Sequence, residues 1–290
     1  MPSPLLPPFR GGAGRMPVCF WSCCTGRPPA GRCPRCGGTN GASGSGAQTP
    51  AADGDLQAVL SRGKLTIGYT VYEPMNFTDK DGNFTGFDTE FAEAVCKELG
   101  VAPDFQEINW DTKVVELDAK SIDCIWNGMT ITQDLKQNIS VSDPYVKNMQ
   151  VVLIKSANRD KFTDTASLAA ANITAEAGSA GESAIAADAN LSQANCVPVT
   201  KQTDALLEVQ SGASDAAVLD WTLAKHMIGE GTDFADLIIV DGLELSVEEY
   251  GIGFRKDSDL TAKVNEIKAE LVKNGTLPAL AEKYGLNLSE

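Results

Sequence analysis

The chain has 290 residues, enough for one or two domains, and its hydrophobic content of 43% is ordinary for a globular protein. The net charge is −15, but residues 1–50 contain five arginines and no acid, so the rest of the chain carries a net charge of −20. Residues 51–290 are acidic enough to repel phosphates, which argues against nucleic acid as a partner. The sequence has no run of 18 apolar residues, which argues against a transmembrane helix.

The N-terminal segment differs in composition from everything that follows it. Residues 1–50 are rich in Pro, Gly, Arg and Cys and have neither helical nor strand periodicity, so we expect them to be disordered. Cys33 and Cys36 have the spacing of two zinc ligands, although a second such pair is missing. We favour another interpretation, in which Cys36 is a lipidation candidate followed by a flexible Gly/Ser/Ala tether that reaches to about residue 54. Residues 1–35 would then stand where a true apolar signal segment has been lost through a wrong start or a frame error.

From Asp55 onward, strand and helix patterns alternate along the chain. Strands are predicted at 65–70, 104–108, 122–126, 150–154, 173–176, 196–199, 215–218, 237–240 and 250–254. Helices are predicted at 55–61, 88–99, 111–119, 132–137, 181–188, 202–210, 220–229, 258–273 and 276–283. An Asp81-Gly82 pair predicts a hairpin turn. This alternation predicts an α/β fold with largely parallel sheets.

The predicted helix at 88–99 is clearly amphipathic. Phe91, Val95 and Leu99 fall on one face, and charged residues occupy the other. Asp88 has a side chain suited to the N-cap position, where it would accept a hydrogen bond from a backbone N–H of the first turn. We therefore expect this helix to begin at Asp88.

Three cysteines and the one histidine lie in the alternating part of the chain. Cys96 falls near the inward face of helix 88–99, and Cys124 and Cys196 fall in predicted strands, so we expect buried free thiols. A Cys96–Cys124 bridge is the alternative that the sequence leaves open. His226 has no second histidine and no thiolate near it in sequence, so we expect a surface or core residue and no metal site.

An ordered series of short motifs carries most of the functional information. The segment WNGMTIT at 126–132 follows a predicted strand and puts a glycine and two threonines at a predicted strand-to-helix turn, where free backbone N–H groups can hold a carboxylate. Its companions are LTIGYT at 65–70, YEPMNF at 72–77, GFDTEF at 86–91, SDPY at 142–145, AAVLD at 216–220, EYGIGFRK at 249–256 and GTL at 275–277. Over roughly residues 57–287, the series resembles the amino-acid-type solute-binding proteins of ABC importers.

The resemblance implies a two-lobed, periplasmic-binding-protein-like (type II) fold with a hinge and a ligand cleft between the lobes. Residues 55–153 and 245–290 would form lobe 1, residues 154–244 would form lobe 2, and the hinge would lie near 152–156 and 242–247. The protein would be extracytoplasmic, either periplasmic or lipid-anchored to the outer face of the plasma membrane.

The resemblance also implies a function and its partners. The protein would capture a small polar solute, in the first place an amino acid, and deliver it to the permease of an ABC transporter. No P-loop motif is present, so ATP hydrolysis is not expected of this chain. We expect a monomer that needs no cofactor.

The same resemblance assigns ligand contacts. Asp220 would meet the ammonium of the ligand, although it also suits the N-cap of the helix predicted at 220–229. The carboxylate would be held at Gly128 and Thr130 and by Ser179, which opens another predicted helix. Aromatic residues of the first lobe would grip the ligand side chain. The predicted ligand-binding residues are Tyr72, Phe77, Trp126, Gly128, Thr130, Ser179 and Asp220.

One departure from the family pattern bears on the ligand. Leu135 stands where the family has an arginine that forks onto the α-carboxylate. The adjacent Lys136 would point elsewhere on a helix, and the resemblance places Arg255 away from the cleft. Three outcomes follow: backbone N–H groups and hydroxyls hold the carboxylate alone, a lysine from elsewhere reaches in, or the ligand is a cationic amine without a carboxylate.

Two further functions compete with transport. Dehydratases that act on cyclic prephenate-like acids resemble these binding proteins, and Glu176 or Glu182 can be offered as the general acid of such an enzyme. A sensor or surface lipoprotein that binds without transport is the other alternative. We expect a binding protein and no enzyme.

Overall fold

The structure is a computed structural model that describes residues 54–289. The hypotheses on Cys36, on zinc and on the Gly/Ser/Ala tether lie outside these residues. Within residues 54–289, every helix is too short or too polar to cross a membrane.

Helices and strands alternate through the described chain. The helices are α1 Asp55–Arg62, α2 Phe87–Leu99, α3 Lys113–Asp118, α4 Gln133–Asn138, α5 Ala180–Ala187, α6 Gln202–Ser211, α7 Trp221–Met227, α8 Leu260–Lys273 and α9 Thr276–Tyr284. The strands are β1 Lys64–Tyr69, β2 Phe77–Thr78, β3 Phe84–Thr85, β4 Ala102–Glu107, β5 Cys124–Thr130, β6 Ser140–Val141, β7 Val146–Lys155, β8 Asn172–Glu176, β9 Asn195–Val199, β10 Ala216–Asp220 and β11 Leu237–Phe254. The prediction of an α/β fold is confirmed.

Nine of these strands form one mixed sheet. Its order is β4-β1-β5-β11-β7-β10-β8-β9, and β6 pairs with β11. Strands β4, β1 and β5 run parallel at one end, and β10, β8 and β9 run parallel at the other. In the middle, β11 is antiparallel to β5 and to β7, and β7 is antiparallel to β10. The expectation of a largely parallel sheet is therefore wrong at its centre, because β7 and β11 cross there in opposite directions.

The predicted strands at 237–240 and 250–254 are parts of one long strand. β11 runs without a break from Leu237 to Phe254 and pairs with β7 over most of its length, with irregular register between Ile239 and Ser246. The intervening sequence begins with the turn-type pair Asp241-Gly242, after which Leu243, Leu245 and Val247 alternate with polar residues in a strand pattern that the prediction left out. Pairing with β7 on both sides of Asp241-Gly242 makes one strand of the two, so tertiary context overrides the local turn signal.

The turn expected around Gly128 and Thr130 is also wrong. β5 continues to Thr130, with Gly128 inside it at a φ of +56°, and α4 begins only after Thr132. The Thr132 hydroxyl is the N-cap and accepts a hydrogen bond from the N–H of Leu135 at 3.1 Å. Thr130 lies opposite Tyr250 of β11, and this pairing keeps the chain extended beyond the glycine.

Asp88 does not cap α2, contrary to the prediction. The helix begins at Phe87 after Gly86, and the carboxyl group of Asp88 is fully buried. Its Oδ2 accepts hydrogen bonds from the backbone N–H of Gly128 at 2.6 Å and from the hydroxyl of Tyr145 at 3.0 Å. Asp88 therefore links α2 to β5 through its hydrogen bond with Gly128.

The predicted hairpin and free thiols are present, with one correction. β2 and β3 pair antiparallel around the Asp81-Gly82 turn. Cys96 and Cys124 are buried and free, whereas Cys196 is free but only half-buried because β9 is the edge strand of the sheet. His226 is exposed, and its Nε2 lies 3.0 Å from Oε1 of Glu73.

Candidate functional site

A cavity of about 410 Å³ lies where β5, β8 and β10 end. One wall comes from the turn at Trp110 and from α3, β5 and α4, and the other comes from β8, α5, α6 and β10. Its lining comprises Trp110, Lys113, Val114, Asn127, Gly128, Met129, Thr130, Thr132, Asp134, Leu135, Glu176, Gly178, Ser179, Ala180, Ser183, Gln202 and Asp220. Carboxyl ends of strands are the usual place for a ligand in α/β proteins, and the volume suits a small molecule.

Asp220 is the most densely hydrogen-bonded acid of the cavity. It is 6% exposed, and its Oδ1 accepts hydrogen bonds from Gln150 and Tyr250, both at 2.9 Å, and from Asn148. Its Oδ2 accepts one from Gln202. Asp220 stands at the N-cap position of α7, but its side chain makes no capping hydrogen bond. The Asn148 amide oxygen instead accepts from the N–H and the hydroxyl of Thr222. The side chain of Asp220 is thus directed to the cavity side.

A second carboxylate, Glu248 of β11, lies beside Asp220. Its Oε1 accepts hydrogen bonds from Thr130 at 2.8 Å and from the amides of Asn148 and Gln150, both at 2.7 Å. Both amides therefore bridge the two carboxyl groups. Burial and the neighbouring charge of Glu248 raise the pKa of Asp220 above its usual range, so the site is ready for a cation that would favour the ionised form.

Lys113 is the one lysine or arginine among the described residues that line the cavity. Its Nζ donates hydrogen bonds to the backbone carbonyls of Trp110 at 3.1 Å and Gly178 at 2.8 Å, and it lies 4.7 Å from the centre of the Trp110 ring. Burial lowers the pKa of this ammonium, and the charges of Glu176 and Asp111 oppose that effect. An ammonium has three N–H donors, so one remains for a ligand.

Glu176 ends β8 and lines the cavity with a buried carboxyl group. It is 3% exposed, and its Oε1 has no hydrogen-bond partner among the described residues. Burial raises the pKa of Glu176 to about 8, and the nearby Asp220 adds to this effect while Lys113 opposes it. The unpartnered oxygen can accept a hydrogen bond from a group in the cavity.

Ser179 begins α5 at the cavity wall. Its hydroxyl accepts a hydrogen bond from the N–H of Glu182 at 3.1 Å, and the Glu182 carboxylate accepts one from the N–H of Gly178 at 2.8 Å. This reciprocal capping fixes the helix start. The N–H of Ala180, in the first turn, has no partner within the helix, so it is available to an anion in the cavity.

The structure brings four of the seven predicted ligand-binding residues to the cavity. They are Gly128, Thr130, Ser179 and Asp220. The N–H of Gly128 is engaged by Asp88. For Thr130, the adjacent Ile131 donates to the carbonyl of Glu249, so by antiparallel geometry the Thr130 N–H points away from β11.

The other three predicted residues do not line the cavity. Trp126 is fully buried and packs edge-on against Phe91, with ring centres 4.9 Å apart. Phe77 is half-buried in the β2–β3 hairpin. Tyr72 is buried, and its hydroxyl is hydrogen-bonded to that of Tyr250, which in turn donates to Asp220. These residues stand behind or beside the site.

Sequence reasoning missed the aromatic wall and the cation of the cavity. Trp110 lines it from the turn between β4 and α3, and Lys113 opens the helix that follows. The available signal was an aromatic residue in a loop directly after a predicted strand. Leu135 does line the cavity, so an apolar side chain occupies the predicted arginine position, while Arg255 lies elsewhere and pairs with Asp55 and Asp123.

Comparison with known proteins identifies similar chains. The family model "Bacterial extracellular solute-binding proteins, family 3" matches residues 65–287. The L-cystine-binding protein TcyJ of Escherichia coli (strain K12) is 30% identical over 244 residues, which cover 83% of this chain and 90% of that protein.

Solved structures of similar fold extend this result. A mutant of ArgBP from T. maritima has a TM-score of 0.73 and 32% identity, and the match covers 79% of this chain and 98% of that one. The ancestral amino acid-binding protein AncCDT-1, a precursor of cyclohexadienyl dehydratase, has a TM-score of 0.71 and 31% identity, with coverage of 80% and 99%.

Proposed function

This chain belongs to the bacterial extracellular solute-binding proteins, family 3, and on that premise we propose that its cavity binds one free amino acid for delivery to an ABC permease. The protein is a solute-binding protein of the amino-acid type with a two-lobed α/β fold. The names of its relatives, which bind cystine or amino acids, support an amino acid as the ligand class.

The observation that carries the proposal is the position of Asp220. A buried carboxyl group with a raised pKa at the end of β10 offers its charge to the α-ammonium of a ligand. The ammonium would stabilise the ionised form of Asp220 and so offset its burial beside Glu248. Gln150, Gln202 and Tyr250 hold the carboxyl group in place.

The α-carboxylate would lie at the opposite wall. There, the free N–H of the Lys113 ammonium, the Ser179 hydroxyl and the first-turn N–H of Ala180 supply donors and positive charge. Gly128 and Thr130 would contact the ligand through their main-chain atoms. Lys113 would thus supply the positive charge that the family's arginine supplies, since Leu135 occupies the position of that arginine here.

We further propose the lobe boundaries 55–153 plus 245–290 and 154–244. β7 and β11 are the two long strands at the centre of the sheet, and they carry the chain between its two parallel ends. The irregular register of β11 between Ile239 and Ser246 makes this part a suitable hinge. Closure about it would bury the ligand between Trp110 on one lobe and Ser179 on the other.

The protein acts outside the cytoplasm, as members of an extracellular family do. We propose that Cys36 is lipidated and that the protein works as a monomer. Labelling of the protein with a radioactive fatty-acid precursor, lost in Cys36→Ser, would test the lipid anchor.

Tyr72 would act on the ligand through Tyr250 and Asp220. Trp126 and Phe77 would support the aromatic side of the first lobe.

We propose that the protein binds its ligand without converting it. The similarity to AncCDT-1 makes a dehydratase, with Glu176 as its general acid, the alternative function. Such an enzyme needs cations for the carboxylates of a dianionic substrate, whereas the described lining offers Lys113 alone. Elimination of water from a prephenate-like acid by the pure protein, lost in Glu176→Gln, would contradict this.

Thermal unfolding of the full chain with single ligands tests the function. A ligand that binds only the folded state stabilises it by about 2.7 kcal/mol at a hundredfold excess over its Kd. We expect a rise in melting temperature with at least one of the twenty amino acids, and loss of that rise in Asp220→Asn. Asp215→Asn, directly before the first residue of β10, is the matched control and should keep it.

Two outcomes would overturn the proposal. A rise only with polyamines or betaines would mean that Asp220 recognises a cation and that no α-carboxylate is bound. A rise with an amino acid that persists in Asp220→Asn would place the ligand elsewhere than in this cavity.

A further inference from the structure

We propose that Glu176 is a second ligand-binding carboxylate and that it makes the cavity prefer amino acids with a cationic side chain. The inference rests on the proposed function, because it assigns a role within the same cavity. Asp220 would serve the α-ammonium that every amino acid carries, and Glu176 would serve a guanidinium or ammonium group that only some of them carry.

The first support is the unsatisfied hydrogen-bonding capacity of the Glu176 carboxyl group. It ends β8, lines the cavity and is 3% exposed, and its buried Oε1 lacks a hydrogen-bond partner among residues 54–289. A buried carboxyl group without a partner is costly, and structural glutamates avoid it by capping or pairing. The neighbouring Glu182 shows such pairing, because its carboxylate accepts a hydrogen bond from the N–H of Gly178. A donor from the ligand would satisfy Glu176.

The second support is the charge balance of the lining. Asp134, Glu176 and Asp220 contribute carboxyl groups, whereas Lys113 contributes the one cation of the lining that the structure describes. A zwitterionic amino acid would pair with Asp220 and Lys113 and leave Glu176 uncompensated. A second positive charge on the ligand would supply the missing partner through charge-assisted hydrogen bonds.

The third support is the position of Lys113. Its ammonium is held by the carbonyls of Trp110 and Gly178, so it is directed away from a bidentate pair with Glu176. Burial beside Asp220 accordingly leaves the pKa of Glu176 at about 8 despite this lysine. The apolar walls at Trp110, Val114 and Leu135 suit the methylene groups that join the two ends of a basic amino acid.

Matched pairs of ligands isolate the side-chain charge. L-arginine and L-citrulline have nearly the same shape, and only arginine carries the guanidinium; L-lysine and L-norleucine form a second pair. By isothermal titration of the full chain near pH 8, we expect arginine or lysine to bind at least about tenfold more tightly than its neutral counterpart. In Glu176→Gln this ratio should fall to about one.

Controls separate a local contact from the general field of the protein. Asp204→Asn removes an equal charge from α6, near enough to influence Glu176 but outside the cavity lining. It should keep the preference for the cationic ligand. Equal losses in both variants would overturn the inference, because the effect would then be long-range.

The outcome also distinguishes this inference from the function on which it rests. If neutral amino acids bind as tightly as cationic ones and Glu176→Gln leaves the ratio unchanged, the inference is wrong while amino acid binding stands. If no member of either pair binds and agmatine, which has no carboxylate, does, the proposed function itself is wrong.

Discussion

At the scale of single residues, burial of carboxyl groups determines what the cavity can bind. Asp220 shares two amide donors with Glu248, and Glu176 has an oxygen with no partner. Folding therefore places carboxyl groups in a water-poor space where ionisation is unfavourable until a cation pairs with them. The ligand completes the electrostatics, so its charge pattern follows from the residues left unpaired.

The pH dependence of stability tests the burial of Glu176. Its pKa rises from 4.5 to about 8 on folding, through burial and through Asp220, with Asp204 adding and Lys113 and Lys201 opposing. The folded protein keeps a proton that the unfolded chain releases above pH 4.5, so stability from this group is complete below pH 4.5 and is lost as the pH rises through 8.

In the absence of ligand, Glu176→Gln should remove this loss. We expect its melting temperature to match that of the unmodified chain at pH 4.5 and to exceed it at pH 8 by on the order of 10 °C, measured by calorimetry. Glu230→Gln, at an exposed position, should show no such pH dependence. A difference that is the same at both pH values would mean that Glu176 ionises normally.

At the scale of elements, contacts with neighbouring segments fix the position of β5, which contributes Gly128 and Thr130 to the cavity. Gly128 has a φ of +56°, and a Cβ there would lie 2.7 Å from Cε1 of Tyr72 and 3.2 Å from Cε2 of Tyr250. Its N–H is held by Asp88 of α2. The glycine therefore lets the strand pass close to two tyrosines and present Thr130 to the cavity.

Gly128→Ala should destabilise the protein by about 2–4 kcal/mol, because it adds a contact with the tyrosines to the backbone strain. Urea unfolding measures this loss. Gly82→Ala has a similar strain, at a φ of +86°, but no atom lies near its added Cβ, and it should cost about 1–2 kcal/mol. Equal costs would show that the tyrosines move aside freely.

At the scale of the whole molecule, contacts across the cavity hold the two proposed lobes together. The ammonium of Lys113 reaches the carbonyl of Gly178, and Lys201 pairs with Glu107. A Cβ on Gly178 would lie 2.9 Å from Oδ1 and 3.0 Å from Cα of Asp111. The segments of Gly178 and Asp111 approach closely because Gly178 has no side chain.

Gly178→Ala should therefore impair closure. We expect an affinity for the amino acid lower by about tenfold or more, and a larger radius of gyration in ligand-saturated solution by X-ray scattering. Gly212→Ala is the matched control, since its φ of +85° carries the same backbone strain outside the cleft. A ligand-bound radius of gyration unchanged in Gly178→Ala would contradict the role of this contact.

Local patterns predicted most of the helices and strands to within a few residues, and the ordered motifs predicted the family. They failed where distant segments meet. β11 continues past the turn-type pair Asp241-Gly242 because it pairs with β7 on both sides of it. The carboxyl group of Asp88 accepts a hydrogen bond from the N–H of Gly128 in β5 and does not cap α2. Such pairings join residues far apart in sequence, and no local period records them.

By itself, the sequence determined the α/β class, the membership in a family of solute-binding proteins, and the positions of Ser179 and Asp220 at the ends of their elements. Only the tertiary structure decided that Lys113 and Trp110 face the cavity and that Glu176 is left without a partner. The physical reason is that a motif records the chain's own neighbours, whereas the burial and charge of a site depend on which distant strands end side by side.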